Sequence, residues 1–214
     1  MSNIPQNKKK RLTLFGVEAV YLYLLGICFA FVGWIAENAA RFIVLGIIDC
    51  RFHLLPFISP YALIPFALHL VLGDPDELSF FGKGLIPDTV KHKKLISNIV
   101  GFLAICLTVF LGELVIGNLW DILFGVKLWD YSSLPFSVTP YAGLVPTLGY
   151  GGGAYIIFKF IYKPLLNLMK KRISFKAAKI ICLTLGVLIV LDTCAMMIYS
   201  AVLGHGPMYW RIEF

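Results

Sequence analysis

Charged side chains inside apolar segments are the first candidates for chemistry in this chain of 214 residues. Glu37 and Arg41 lie four residues apart in a long apolar run, so a helix would place them on one face. Glu113 and Asp121 lie in a later run. Ionisable groups at membrane depth are costly, so they indicate a site or a paired partner. If the two runs pack together, three carboxylates surround Arg41, and their surplus negative charge favours a cation, a proton or an amine as ligand.

An ion-pair network that only pins two helices together is the structural alternative for these four residues. Two further acidic residues stand apart from them. Asp192 lies near the middle of the last apolar run and must face other helices, either as a proton relay or as a hydrogen-bond partner of Ser, Thr or Tyr. Asp130 belongs to the Trp-Asp-Tyr-Ser segment 129–132, whose simplest interpretation is a rigid turn at the membrane interface.

The composition indicates a protein that crosses a membrane several times. Hydrophobic residues make up 59% of the chain and charged residues 14%, whereas about a quarter of an ordinary soluble domain is charged. The basic residues occur in short runs between apolar segments, which is typical of membrane topology rather than of nucleic-acid binding. We therefore expect membrane lipid, and no nucleic acid, among the partners.

Five segments are apolar enough to be predicted as spans of a hydrocarbon core about 30 Å thick, which takes roughly 20 helical residues. Because lipid offers the backbone no hydrogen-bond partner, each segment must be a helix. The predicted fold class is therefore an all-α integral membrane protein with five transmembrane helices. The predicted spans are 13–46, 55–72, 95–124, 141–162 and 177–203.

The distribution of Lys and Arg predicts the orientation in the membrane. Basic residues cluster before the first span, between the second and third, and between the fourth and fifth. The opposite side holds only Arg51, Lys127 and Arg211. Because basic loops stay on the cytoplasmic side, we expect a cytoplasmic N-terminus and an outer C-terminus in the cell membrane.

One proline-rich motif occurs twice, about 80 residues apart, at 55–65 and 134–146. Both copies follow a span of the same orientation, so the chain is predicted to be a parallel repeat of two helix pairs plus one extra C-terminal helix. The prolines break the helices near the outer face. Broken helices at corresponding positions indicate a binding site, so Tyr61 and Tyr141 in the two Pro-Tyr pairs are further candidates for ligand binding or gating. At this offset Glu37 is opposite Gly117, so the charges of the two halves interleave.

The predicted boundaries follow from the spans and from the loops between them. The linker between the two repeats mixes acidic, glycine and aromatic residues, and a plain linker is favoured over a segment lying on the headgroups. In chain order we predict a basic cytoplasmic N-terminus 1–12, a first repeat 13–73, a cytoplasmic linker 74–94, a second repeat 95–163, a basic cytoplasmic loop 164–176, the fifth span 177–203 and an outer tail 204–214.

Neither a metal nor a cofactor is indicated by the sequence. The five cysteines form no CxxC or Cys/His ligand spacing, and the four histidines have no ligand partner at helical spacing. No nucleotide-binding Walker motif is present.

The second half resembles a known family, the "Putative ABC-transporter type IV" or CmpB-like permeases. The resemblance is carried by Glu113, by Asp121 where that family usually has Glu, by Phe124-Gly125, by the block 128–132 and by Pro135-Phe136. In the first half, Gly33-Trp34 with Glu37, Arg51-Phe52 and Pro60-Tyr61 are similar to the first motif of the family. The resemblance implies a membrane protein of several spans with a transport role and a separate ATPase subunit.

Three functions follow from these observations as alternatives. The favoured one is a small permease or transport component with a polar site between the two repeats near the outer face. The second is an integral-membrane enzyme acting on a lipid-like substrate, with Glu113 or Asp130 as acid and base; the sequence favours a non-enzymatic role over this one. The third is a partner or sensor subunit that does not transport. A small molecule or ion, and a homodimer or an ATPase subunit, are the expected partners.

Overall fold

The computed structural model describes residues 11–84, 86–87 and 89–214, so most of the predicted basic N-terminus lies outside the described residues. The chain is all-α with a few short strands, and its long apolar helices confirm the predicted all-α membrane class. The helices are α1 Ala19–Leu45, α2 Ser59–Leu72, α3 Lys93–Phe124, α4 Leu144–Ile156, a π-helical turn Ile157–Tyr162, α5 Lys163–Arg172 and α6 Phe175–Leu203.

Four helical stretches are long and apolar enough to cross a membrane: Ala19–Leu45, Lys93–Phe124, Leu144–Arg172 and Phe175–Leu203. The predicted span at 55–72 differs, because α2 has 14 residues and is only about 21 Å long. The prolines at 56 and 60 keep residues 55–58 out of the helix. The number of five spans therefore stays a prediction.

The fourth predicted span is longer in the structure than in the sequence pattern. Helix α4 begins at Leu144 rather than at 141, and the helical path continues through the π-helical turn into α5. Pro164 directly follows the π-helical turn, where the regular i to i−4 hydrogen-bond pattern is already interrupted and the missing amide hydrogen of proline is accommodated. Much of the segment 164–176, predicted as a basic loop, is thus helical, and only Ile173 and Ser174 separate α5 from α6.

Short strands close both ends of the bundle. Strand β3, Ile47–Asp49, follows α1 and pairs antiparallel with the last strand, β6, Arg211–Glu213. We call this the loop end, and it also holds the segment 125–143 after α3. At the opposite, hairpin end, β1 Thr13–Leu14 pairs with β2 Val17–Glu18, and β4 Ser79–Phe80 pairs with β5 Lys83–Gly84.

The linker between the helix pairs is folded at the hairpin end. It forms the β4-β5 hairpin, and Lys163 of α5 pairs with Asp74 at 3.0 Å and with Asp76 at 2.6 Å. The hydrogen bond from Lys163 holds the pKa of Asp76 below its usual range. The linker therefore joins α2 to α5 rather than only connecting α2 to α3.

Small residues allow the helices of each pair to approach closely. At Gly26 an added Cβ would collide with the backbone carbonyl of Ala62, so α1 and α2 are in backbone contact. At Gly151 an added Cβ would lie 2.6 Å from the sulfur of Cys106, which brings α4 equally close to α3. The apolar core lies between α1, α2, α3, the π-helical turn, α5 and α6, and includes Leu25, Ile105 and Phe158.

Candidate functional site

Glu37 in α1 is held by two side chains, one from the loop that follows α1 and one from α2. The Tyr61 hydroxyl donates a hydrogen bond to Glu37 Oε1 at 2.8 Å, and Arg51 Nη2 lies 3.2 Å from Oε2. Gly33, one turn before Glu37, allows the Tyr61 ring to lie against α1, because an added Cβ would be 2.7 Å from that ring. The Gly-x-x-x-Glu spacing of α1 therefore positions the tyrosine and its hydrogen bond together.

Arg41 does not join this group, so the predicted ring of carboxylates around Arg41 is wrong. Arg41 Nη2 pairs instead with Asp49 Oδ2 at 2.7 Å, and Asp49 is only 2% exposed. Asp49 also accepts the backbone amide of Arg51 at 2.9 Å. Arg51 has a φ of 53°, an uncommon value for a residue with a side chain, and this turn directs its guanidinium to Glu37.

The second helix pair has the same contact. The Tyr141 hydroxyl donates to Asp121 Oδ2 at 2.5 Å, and an added Cβ at Gly117 would lie 2.5 Å from Tyr141. Trp129 Nε1 donates to the Tyr141 carbonyl at 2.9 Å and fixes the loop. Asp121 therefore occupies in α3 the place that Glu37 occupies in α1. This differs from the 80-residue alignment, which set Glu37 opposite Gly117.

Glu113 lies about two turns before Asp121 in α3 and interacts with the first helix pair through Glu37. The Tyr131 hydroxyl donates to Glu113 Oε1 at 3.1 Å, while Glu113 Oε2 is buried and has no hydrogen-bond partner within the described residues. Burial raises the pKa of Tyr131, and Tyr150 and Glu113 raise it further, so this phenol stays protonated and can donate. Glu113 also interacts electrostatically with Glu37.

Tyr150 of α4 completes this group of side chains. Its side chain is hydrogen-bonded to Tyr131, and it interacts electrostatically with Glu37 and Glu113. Tyr150 is 43% exposed, so it lies at the edge of this group of side chains. We call these six residues the glutamate–tyrosine cluster: Glu37, Arg51, Tyr61, Glu113, Tyr131 and Tyr150.

Asp192 and Asp130 lie outside the cluster. Asp192 accepts hydrogen bonds from His53 Nδ1 at 3.2 Å and from the amides of Leu54 and Leu55, rather than from the Ser, Thr or Tyr side chain that was considered. Burial lowers the pKa of His53 despite the opposing effect of Asp192, so a neutral ring donates through Nδ1. Asp192 thus satisfies a non-helical backbone that lies against α6.

Asp130 forms the turn that its sequence context predicts. Its carboxylate accepts the amide of Ser132 at 2.9 Å and pairs with Lys127 at 2.9 Å. These hydrogen bonds hold the pKa of Asp130 well below its usual range, so it stays ionised. An exposed carboxylate of this kind is a poor general acid.

Sequence reasoning missed several residues of this arrangement. Arg51 and Tyr131 are part of the motif segments, but nothing in their spacing indicates which carboxylate they reach. Tyr150 lies among helix glycines, a pattern that indicates close packing rather than a site. Asp49 and His53 gave no signal, because their partners are distant in sequence. Among the described residues, no three His, Cys, Asp or Glu side chains are placed to hold a metal ion.

Comparison with known protein families identifies the family of this chain. No curated protein and no solved structure matches the chain. A family model matches residues 24–197, and the matched range includes Glu37, Glu113 and both Pro-Tyr contacts. This range is most of the 214 residues and confirms the resemblance seen in the motifs. The chain belongs to the family described as "Putative ABC-transporter type IV".

Proposed function

We propose that this membrane protein is a small permease or transport component, and that the glutamate–tyrosine cluster is its ligand site. The observation that carries the proposal is the electrostatic interaction of Glu37 and Glu113, two carboxylates from different helix pairs. Arg51 pairs with Glu37. Such groups at membrane depth usually mark a ligand or ion pathway.

The charge of the cluster favours a cationic ligand. Arg51 balances Glu37, whereas Glu113 has only the hydroxyl of Tyr131 and one buried oxygen without a partner. A buried carboxylate in this state either carries a proton or takes a cation. An amine or a small cation would exchange with that proton at Glu113 Oε2, and the tyrosine rings would favour its positive charge.

The proposed pathway opens at the loop end, on the outer side of the cell membrane. Two features support this orientation: the basic runs concentrate at the hairpin end, and strands β3 and β6 place the C-terminal tail beside the loop after α1. The matched Tyr61 and Tyr141 contacts support a parallel internal repeat, with the proline loops as lids over the site.

The family name supports a partner as well. An ABC-type permease works with an ATPase, and this chain carries no nucleotide-binding motif, so we propose a separate ATPase subunit at the hairpin end. The enzyme alternative has weaker support, since Asp130 is paired with Lys127 and exposed.

The test is thermal stabilisation of the purified full-length chain by a panel of probes: ammonium, methylammonium, choline and sodium chlorides at equal ionic strength. We expect at least one cation to raise the melting temperature of wild type and of Asp130→Asn, a carboxylate control outside the cluster. Glu113→Gln should lose the effect. Equal stabilisation of wild type and Glu113→Gln, or none by any probe, would overturn the proposed cation site.

A further inference from the structure

A groove on the outside of the bundle lies between α1 and α6, away from the glutamate–tyrosine cluster. Its volume is about 480 Å³, and its wall is mostly aliphatic. Leu183, Val187 and Leu191 line it with 65%, 50% and 59% of their surfaces exposed. Because α1 and α6 are both long and apolar enough to span, this wall would face the lipid chains.

Two polar groups interrupt the aliphatic wall toward the hairpin end. Lys179 lines the groove, is exposed, and forms no ion pair or hydrogen bond within the described part of the chain. The Tyr23 hydroxyl also lacks a hydrogen-bond partner there and lies against Gly186, where an added Cβ would collide with it. Gly186 thus leaves room for this hydroxyl at the wall of the groove.

These groups follow one face of α6. Lys179, Leu183, Gly186 and Val190 are spaced four, three and four residues apart, which keeps them in line on a helix. The distance along the axis from Lys179 to Val190 is about 16 Å, half the thickness of a hydrocarbon core. The groove therefore has the length of one leaflet, with its charge at the headgroup level.

We propose that this groove binds one anionic phospholipid of the leaflet at the hairpin end. The phosphate pairs with Lys179, the Tyr23 hydroxyl donates to an ester carbonyl, and an acyl chain follows α6 to Val190. Charge complementarity selects the headgroup, because no acidic residue lines the groove and Lys176 lies one turn before Lys179. This site is separate from the cation site and does not depend on it.

The test is native mass spectrometry of the full-length protein in mild detergent, titrated with phosphatidylglycerol or with phosphatidylcholine of the same chains. We expect one phosphatidylglycerol to be retained about fivefold better than phosphatidylcholine, because one basic residue favours a net anionic headgroup by about 1 kcal/mol, whereas the choline of phosphatidylcholine neutralises its phosphate. Lys179→Gln should remove this preference, and Val187→Trp should reduce retention of both lipids by filling the groove. Lys171→Gln, in α5 and outside the groove, is the matched control and should keep the preference.

Three results would overturn the proposal. The first is equal retention of the two lipids by wild type. The second is an unchanged preference in Lys179→Gln. The third is a dimer that Val187→Trp separates without any change in lipid retention, since a second copy would then occupy the groove.

Discussion

Each carboxylate oxygen of Glu37 has a partner, and the two partners are held in position by different contacts. Tyr61 is placed by the contact of its ring with Gly33, while Arg51 is placed by a turn in which Asp49 accepts its amide. The carboxylate is therefore fixed before any ligand arrives, which is the usual requirement of a selective site.

Replacing Arg51 by Gln leaves the Glu37 carboxylate with the Tyr61 hydroxyl alone. We expect the free energy of unfolding to fall by about 1–3 kcal/mol, because a partly buried charge loses its counter-ion. The double variant Arg51→Gln/Glu37→Gln should recover much of the loss, since no unpaired charge remains. Thermal or urea unfolding in detergent measures these free energies. If the effects of the two substitutions simply add in the double variant, the pairing of Arg51 with Glu37 is contradicted.

Two glycines of α3 test the packing of Tyr141. Gly117→Ala should lower the free energy of unfolding by about 1–3 kcal/mol, because its methyl group would overlap the Tyr141 side chain. Gly112→Ala is the control on the same helix, where nothing lies within 4 Å of the added carbon, and should stabilise by about 0.5–1 kcal/mol. The unfolding midpoints of the two variants should therefore shift in opposite directions. If both midpoints shift in the same direction, the close contact of Gly117 with Tyr141 is contradicted.

At this scale the sequence indicated the carboxylates and both tyrosines but not their partners. Arg41 is four residues from Glu37 along the chain and Arg51 is fourteen, so helical spacing favours Arg41 as the partner. The choice is made by Asp49, which pairs with Arg41 and orients Arg51. Asp49 is held in place by the pairing of strand β3 with the distant β6 and by Asn38, whose Oδ1 accepts a hydrogen bond from the Asp49 amide at 2.8 Å.

At the scale of elements, the segment between α1 and α2 is the least regular part of the first helix pair. The amide of Ile58 donates to the carbonyl of Ala30, well inside α1, at 3.1 Å. The amides of Leu54 and Leu55 donate to Asp192 of α6. A loop that lies this deep must have its backbone satisfied by protein, and here two helices provide that.

The pH dependence of stability tests this loop through His53. Burial lowers the pKa of His53 in the folded protein below the 6.5 of an exposed histidine, so the unfolded chain binds more protons as the pH falls below about 6.5. Stability should be unaffected by this group above pH 7 and should decrease as the pH falls through 6.5 toward the folded value. Melting temperatures at pH 7.5 and 5.5 measure the decrease.

The control for this prediction is His53→Gln, whose amide can still donate to Asp192 but does not titrate. It should lose less stability than wild type between the two pH values. An equal loss in both proteins would assign the pH dependence to other groups.

The long helices could be predicted from the sequence, but the position of the loop before α2, deep against α1 and α6, could not. Long apolar runs identify α1, α3 and α6 directly, because lipid burial requires such runs. The run at 55–58 is equally apolar, yet it is a loop, since proline removes amides and breaks the helix before α2. Its stability depends on Ala30 and Asp192, which no local pattern connects to it.

At the scale of the whole molecule, two helix pairs each present a glycine, an acidic residue and a tyrosine in the same arrangement. Within the described residues, the first pair adds an arginine at that contact and the second adds Glu113. The two contacts are therefore equivalent in geometry but not in charge. We expect this difference to make the cluster a single site between the pairs rather than two symmetric ones.

The C-terminal tail belongs to the same end of the molecule as the cluster. Strand β6 pairs with β3. The ring centroids of Phe214 and Phe42 are 5.3 Å apart, and those of Trp210 and Trp34 are 6.2 Å apart. The tail thus holds the strand that carries Asp49, and through Asp49 it supports the position of Arg51. This connection joins the last residues of the chain to the proposed site.

The central claim is that Glu37 and Glu113 bind one cationic ligand between the helix pairs. The most direct measurement is mass spectrometry of small molecules released from the gently purified protein, for wild type, Glu113→Gln and the control Asp130→Asn. We expect a defined cationic compound to be released from wild type and from Asp130→Asn, and to be lost from Glu113→Gln. A wild-type protein that holds no such compound, or a Glu113→Gln protein that retains it in full, would contradict the account.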